Sequence, residues 1–245
     1  MVQDGVFTVL DMVDSTNNYA MGRINAALAK HGMAWFARYQ TAGKGQRGKT
    51  WKTEKDKNIA ISIVLEPERL QLNNQFHLSA AIALTCFEFF SRYAGDETKI
   101  KWPNDLYWRD RKAGGILIEN ILQGKAWKWA VVGIGINVNQ TVFDKALINV
   151  VSLKQISGKS FDIVELGKEL HGMLMNNLAA LEKNDKILRQ YNEHLYKLNH
   201  LVTLKKDGVG FETVIKGVLA TGRLTTIDTF ERIFDFGDVE WVITS

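Results

Sequence analysis

The chain has 245 residues, 46% of them hydrophobic, enough for one large domain or a large domain with a small appendage. Thirty-one basic against 27 acidic residues leave a net charge of +4, too mild to require a nucleic-acid partner, and five of the basic residues are gathered within 44–55. One cysteine, Cys86, excludes an intramolecular disulfide and a cysteine-rich metal site, and the five histidines show no ligand spacing.

The N-terminal residues MVQDGVFTVLDMVD lack the basic flank and long apolar core of a signal peptide, and nowhere do 18 apolar residues run uninterrupted. A soluble cytoplasmic protein with no membrane partner is expected. In chain order, 6–10 reads as a short strand, and Asp14, Ser15 and Thr16 are N-cap candidates for a helix reaching about residue 30 and stopping near Gly32. Segments 33–40 and 58–66 read as strands on either side of a glycine-rich basic loop, and 73–94 as a long apolar helix that takes Cys86 into the core. Strands follow near 98–102, 105–109, 113–122 and 126–138, linked by turns at 109–111 and 123–125. Turn-linked strands of this kind predict a mixed, mainly antiparallel sheet rather than repeated βαβ units. Helical patterns run over 160–183 and 185–198, and short strands punctuated by glycine fill 201–245. The texture change predicts a small β-barrel-like appendage, with a boundary between 185 and 200.

Three stretches carry chemistry. In 101–119, KWPNDLYWRDRKAGGILIE, polar groups at Lys101, Asn104, Asp105 and Lys112 interrupt apolar strand residues, and Gly114–Gly115 permits close approach of a ligand or another backbone. The segment reads as the floor of a small-molecule site. In 40–51, QTAGKGQRGKTW, the glycines at 43, 45 and 48 spell a dinucleotide-binding pattern. The context contradicts it, because KTWKTEKDKN leads into a strand where that turn should open a helix. Either Lys44, Arg47 and Lys49 gather around phosphates with Trp51 as a flat face for a ring, or the loop is a solvated basic turn over a packed tryptophan. In VVGIGINVN, 131–139, Gly133 and Gly135 are costly in a strand unless something approaches closely, and Asn137 reads either as a reader of an adenine edge or as a buried amide satisfied by backbone.

Together, GKGQRGKTW, KWPNDLYW…KAGGILIE and VVGIGINVN, with DSTN at 14–17 and Gln40 ahead of the loop, resemble the biotin–protein ligases (biotin–acetyl-CoA-carboxylase ligases), closely over about 5–140 and by general plan beyond. The resemblance implies an α+β fold: a mixed, mainly antiparallel sheet with helices packed on it, residues 1–195, followed by a small SH3-like β-barrel domain, residues 196–245. It implies an enzyme that activates biotin with ATP as biotinyl-5′-AMP, releasing pyrophosphate, and passes biotin to a lysine of a biotin carboxyl carrier protein or domain. Ser15, Thr16 and Gln40, with backbone near Gly43 and Gly115, would line the biotin pocket. Lys112 would contact the biotin carboxylate and the phosphate, and with Arg47 would be catalytic. Lys44, Arg47, Lys49 and Trp51 would belong to the adenylate loop, Asn137 would read the adenine, and Asn104 and Asp105 would lie near the reacting phosphate. Mg²⁺ would ride on the ATP phosphates, with Asp105 either helping to hold it or orienting Lys112.

The loop departs from the usual pattern in having Lys44 and Gln46 where relatives have arginines. No winged-helix domain precedes residue 5, so a ligase that does not bind DNA is expected. Both a monomer and a sheet-edge homodimer are compatible with the resemblance. The 200–245 segment is expected to serve transfer to the acceptor more than adenylation.

Overall fold

The alternation of side chains along seven strands builds the larger part of the molecule. A computed structural model describes residues 5–67, 75–145, 147, 149–180 and 186–242. Strands β1 (Phe7–Leu10), β2 (Ala34–Ala37), β3 (Asn58–Leu65), β4 (Thr98–Lys101), β5 (Asp105–Trp108), β6 (Arg111–Gln123) and β7 (Ala126–Asn137) form one sheet in the order β1-β2-β3-β7-β6-β5-β4. β1 and β2 pair in parallel across helix α1 (Thr16–Asn25). The other five pairings are antiparallel, in line with the expected mixed α+β class.

One face of this sheet is covered by α2 (Gln75–Ala94) and by α4 (Ile163–Ala179), which follows the short α3 (Leu153–Ser157). Ile59, Ile61, Ile63 and Leu65 of β3 and Val132, Ile134 and Ile136 of β7 pack there with Leu78, Ile82 and Phe89 of α2 and Leu170 and Leu174 of α4. Cys86 lies in this core, and burial pushes its thiol up to about 12. A fully buried Ile or Leu gains roughly 1.5–3 kcal/mol over exposure, so this side can secure the sheet without help from the other. On the opposite face α1 covers only part of the surface, where Ala20 meets Trp35, Val64 and Val131. β3 is therefore buried on both sides, which makes it a nearly unbroken apolar run rather than a clean alternation.

Several boundaries differ from the sequence expectation. α1 closes at Asn25, because Ala27 takes the left-handed conformation (φ 57) and the Leu28 N–H donates to the Arg23 carbonyl. That is a closure usually made by glycine, so an alanine at the position conceals it. α3 was not anticipated at five residues, although Ser152 and Gln155 form a reciprocal capping box and Gly158 ends it at φ 72. The second late helix, α5, is shorter than expected, Ile187–Glu193. Residues 194–196 instead extend along the edge of β4, with the Ile100 N–H donating to the His194 carbonyl and the Tyr196 N–H to that of Ile100. The expected start of α2 at 73, the helix end at 181–183, the start at 185 and the last strand residues 243–245 lie outside the described residues.

Strands β8 (Leu201–Lys206), β9 (Val209–Val218), β10 (Leu224–Ile227), β11 (Glu231–Phe234) and β12 (Glu240–Val242) form a second, antiparallel sheet in the order β11-β10-β9-β8-β12. Leu204, Ile215, Val218, Leu224 and Phe234 make its buried side. It is fastened to the larger sheet: Trp102 Nε1 donates to the Gly222 carbonyl at 2.8 Å, and the Asn192 amide brackets Val218, donating to its carbonyl and accepting from its N–H. Among the described residues no helix is long and apolar enough to cross a membrane.

Gly167 of α4 lies under the Phe36 ring, where a Cβ would stand 2.8 Å from Cδ2. Gly167→Ala gains about 1 kcal/mol of helix propensity but overpacks the core at a cost of roughly 1–3 kcal/mol. A lowered urea midpoint is expected, and a raised one would show that the ring yields freely.

Candidate active site

The uncovered part of the sheet is paved with small residues because of strand register. Lys101 pairs with Asp105, Asp105 with Gly115, Gly115 with Gly135, and Gly135 with Ala60, forming one row across β4, β5, β6, β7 and β3. The next row carries Leu117, Gly133, Ser62 and Trp35. Over these rows opens a cavity of about 870 Å³. Side chains at 115, 133 and 135 would fill it: a Cβ on Gly135 would stand 2.5 Å from the Trp51 ring, and one on Gly133 would drive into the Asn17 amide.

Lys112 reaches the cavity through a β-bulge. It lies three positions before Gly115, an odd offset that in a regular strand would place the two on opposite faces. The register between β5 and β6 slips at Leu106/Tyr107, and this turns Lys112 back over the floor. Its Nζ lies 2.6 Å from Asp105 Oδ1 and 5.9 Å from the centre of the Trp51 ring. The carboxylate thus fixes the ammonium above Gly115, where both lie within 3.6 Å of an added Cβ. Of the two roles open for Asp105, orientation of Lys112 is the one this contact supports.

At the other end of the rows the α1 N-terminus is capped from outside. The Thr16 N–H and hydroxyl both donate to Gln40 Oε1, at 2.8 and 3.1 Å. Ser15, the N-cap residue, makes no side-chain capping bond, so its hydroxyl is not committed to the helix. The Ser62 hydroxyl stands 2.7 Å from that of Thr16 and 2.5 Å from Asn17 Oδ1. Asn17 Nδ2 in turn donates to Glu119 Oε2 at 2.7 Å, and Glu119 Oε1 faces Lys44 Nζ at 3.8 Å. The result is a buried polar pocket whose members hold one another in place.

The glycine-rich loop contains only a single 3₁₀ turn, Gln46–Gly48, so no helix opens there. Arg47 adopts φ 55 and its guanidinium donates to the Gly237 carbonyl at 3.3 Å, away from Lys112. Trp51 folds back onto Gly135, with its Nε1 buried and lacking a partner.

Of the residues singled out from sequence, Ser15, Thr16, Gln40, Lys44, Arg47, Lys49, Trp51, Asn104, Asp105, Lys112, Gly115 and Asn137 all line the cavity. Gly43 lies behind it, where it packs against the Gln40 amide and the Trp51 backbone. Two amides are already spent: Asn104 Nδ2 donates to the Ile116 carbonyl at 2.5 Å and Asn137 Nδ2 to that of Val151 at 3.2 Å. Asn17, Ser62 and Glu119 were missed, although Asn17 adjoins the Ser15–Thr16 pair in sequence. Phe236, Gly237 and Trp241 from the second sheet were also missed, and nothing local marks them.

A family profile described as the biotin/lipoate A/B protein ligase family matches residues 9–137, more than half of the chain. The chain belongs to this family. It is 37% identical over 147 residues to the bifunctional ligase/repressor BirA of Escherichia coli, covering 59% of this chain and 44% of that protein. It is 33% identical over 188 residues to BirA of Bacillus spizizenii, covering 75% of this chain and 54% of that one. The chain thus spans about half the length of these relatives. In fold it resembles the biotin protein ligase of Aquifex aeolicus, solved with biotin and ATP, at a TM-score of 0.81, 24% identity and 97% and 99% coverage of the two chains.

Lys101 faces this family's motif cavity from β4. Burial lowers its amine to about 8; Asp105 opposes that shift, and Lys112 and Lys49 add to it. Its charge is therefore present below about pH 8 and lost above it. NMR of ¹³C-methylated lysines should show one resonance titrating near pH 8; titration of the Lys101 signal at an ordinary lysine value would contradict this.

Proposed function

We propose that this chain is an ATP-dependent biotin–protein ligase. It forms biotinyl-5′-AMP and pyrophosphate and then acylates a lysine of a biotin carboxyl carrier protein or domain. The observation that carries the reading is the Lys112–Asp105 pair poised above a floor of Gly115 and Gly135, with the polar Ser15–Thr16–Gln40 pocket at one end. A fused-ring ureido compound matches that pocket, because its N–H groups and carbonyl need both acceptors and donors. The flat bicycle of an adenine suits the Gly135–Trp51 side.

In the first half-reaction a biotin carboxylate oxygen attacks the α-phosphorus of ATP, and the bridging oxygen leaves with pyrophosphate. Two anions must approach, and Lys112, held by Asp105, supplies positive charge where it accumulates. One group so aimed is worth roughly 3–4 kcal/mol. Among the described residues no cluster of three His, Cys, Asp or Glu side chains offers a cage for a metal. Mg²⁺ accordingly enters this reading on the phosphates of ATP, where it neutralises charge.

In the second half-reaction the acceptor amine attacks the acyl carbon, AMP leaves with the anhydride oxygen, and the amine gives up a proton. The buried pocket and the glycine-rich loop keep water from the anhydride. Arg47, Lys44 and Lys49 on that loop, with Asn104 and Asn137, complete the adenylate contacts once the ligand replaces their present partners. The reading assigns 1–195 to the catalytic domain and 196–245 to an SH3-like C-terminal domain, in a cytoplasmic enzyme.

ATP–pyrophosphate exchange with biotin, lipoate or octanoate tests the proposal. Exchange is expected with biotin alone, and Lys112→Ala should lower it by about 10²–10³ without changing the free energy of unfolding in urea by more than roughly 1 kcal/mol. Exchange driven by lipoate instead would move the substrate class. Near-wild-type exchange by Lys112→Ala would remove that residue from the chemistry.

A further inference from the structure

A chain of polar side chains runs back from the Thr16–Gln40 pocket and ends on a carboxylate. Along β6 and β7 the register pairs Gly115 with Gly135, Leu117 with Gly133 and Glu119 with Val131, so Glu119 shares the cavity side of the sheet two rows beyond Gly115. There it stands beside α1, and its Oε2 accepts from Asn17 Nδ2 at 2.7 Å. Asn17 Oδ1 lies 2.5 Å from the Ser62 hydroxyl, which stands 2.7 Å from that of Thr16. The Thr16 hydroxyl in turn donates to Gln40 Oε1 at 3.1 Å. Asn17, Ser62, Thr16 and Gln40 are all buried, so their protons must find acceptors within the chain or on a ligand. Thr16, Asn17 and Gln40 line the cavity. The other Glu119 oxygen faces Lys44 at 3.8 Å, a partly exposed contact of little strength in water.

The two ends of this chain fix its direction. An ionised carboxylate only accepts, so Asn17 turns its NH₂ to Glu119 and its carbonyl oxygen to Ser62. Ser62 has one proton for two oxygen neighbours, and the Asn17 carbonyl, which cannot donate, takes it. At the other end the Thr16 N–H, which can only donate, holds Gln40 Oε1 as an acceptor, and the Thr16 hydroxyl proton joins it there. The Thr16 oxygen is then left with lone pairs and no proton to offer the cavity. We infer that Glu119 is a specificity-determining positioning residue: it sets the direction of the Asn17–Ser62–Thr16 chain so that Thr16 accepts an N–H from the ligand. The inference rests on the proposed ligase reading, in which that N–H belongs to a ureido ring. The dithiolane ring of lipoate carries no N–H, so a pocket of this polarity discriminates against it. Without the carboxylate the Asn17 amide can turn over. Its NH₂ then donates to Ser62, and the Ser62 proton moves onto Thr16, where it competes with the ligand.

Calorimetric titration of the full chain with biotin and with lipoate, alongside NMR of the Asn17 side-chain amide, tests the assignment. Glu119→Gln keeps the size of the side chain but can face Asn17 with either its oxygen or its nitrogen. It should weaken biotin binding about tenfold, leave lipoate affinity where it is, and speed solvent exchange of the Asn17 amide protons. The loss should persist in salt that screens the Lys44 contact. Asn17→Ala cuts the chain, so Glu119→Gln should cost nothing further in that background. Equal biotin affinity in wild type and Glu119→Gln would overturn the inference and leave the ligase reading intact. A loss that vanishes in high salt would overturn it in favour of a Lys44 contact, and additive losses in the double variant would overturn it as well. If wild type binds no biotin while Asn17 amide exchange still depends on Glu119, the ligase reading fails and the carboxylate-set direction stands.

Discussion

The site depends on a sheet face from which side chains have been removed. β3, β6 and β7 are locked in register by their ladders, and that register aligns Gly115, Gly135 and Ala60 in one row and Gly133 with Ser62 in the next. Glycine in a strand gives up packing and costs conformational entropy. The cost is tolerable because the opposite face carries Ile59, Ile61, Ile63, Val132, Ile134 and Ile136 into the core with α2 and α4. One set of strands therefore does two jobs, separated by the two-residue period: odd positions of β7 from 131 to 137 serve the α1 and cavity side, even ones the core.

The polar groups then need only be hung around the bare floor. At one end Gln40 caps α1 in place of the N-cap side chain and fixes Thr16, while Glu119 fixes Asn17 and faces Lys44. In the middle a bulge delivers Lys112 to Asp105. At the far end the second sheet clamps the Trp102 corner and closes over Lys101. The cations are held by partners on three different elements, so the charge is arranged before any ligand arrives. Such preorganisation lowers the reorganisation required when charge develops.

Much of this was legible in the sequence and some was not. The turn-linked strands announced a mainly antiparallel sheet, and Gly133, Gly135 and Gly115 marked themselves by being glycines inside apolar strands. What makes them a floor is register across three strands, a long-range property that no local pattern carries. Lys112 stood out by resemblance, but its direction comes from the slip at Leu106/Tyr107, which its neighbours do not signal. Arg47 lines the cavity, but the partner of its guanidinium, Gly237, lies 190 positions away in the chain and carries no local signal. The end of α1 was hidden by Ala27, and the place of Trp241 in the cavity wall by its distance in the chain from every motif.

The most direct measurement is a crystal structure of the chain with biotinyl-5′-AMP. The account predicts the biotin rings against Thr16 and Gln40, the acyl phosphate beneath Lys112 above Gly115, and the adenine beside Gly135 with Trp51 displaced from its present contact. An adenylate bound away from the Gly115–Gly135 row, with Trp51 still seated on Gly135, would contradict it.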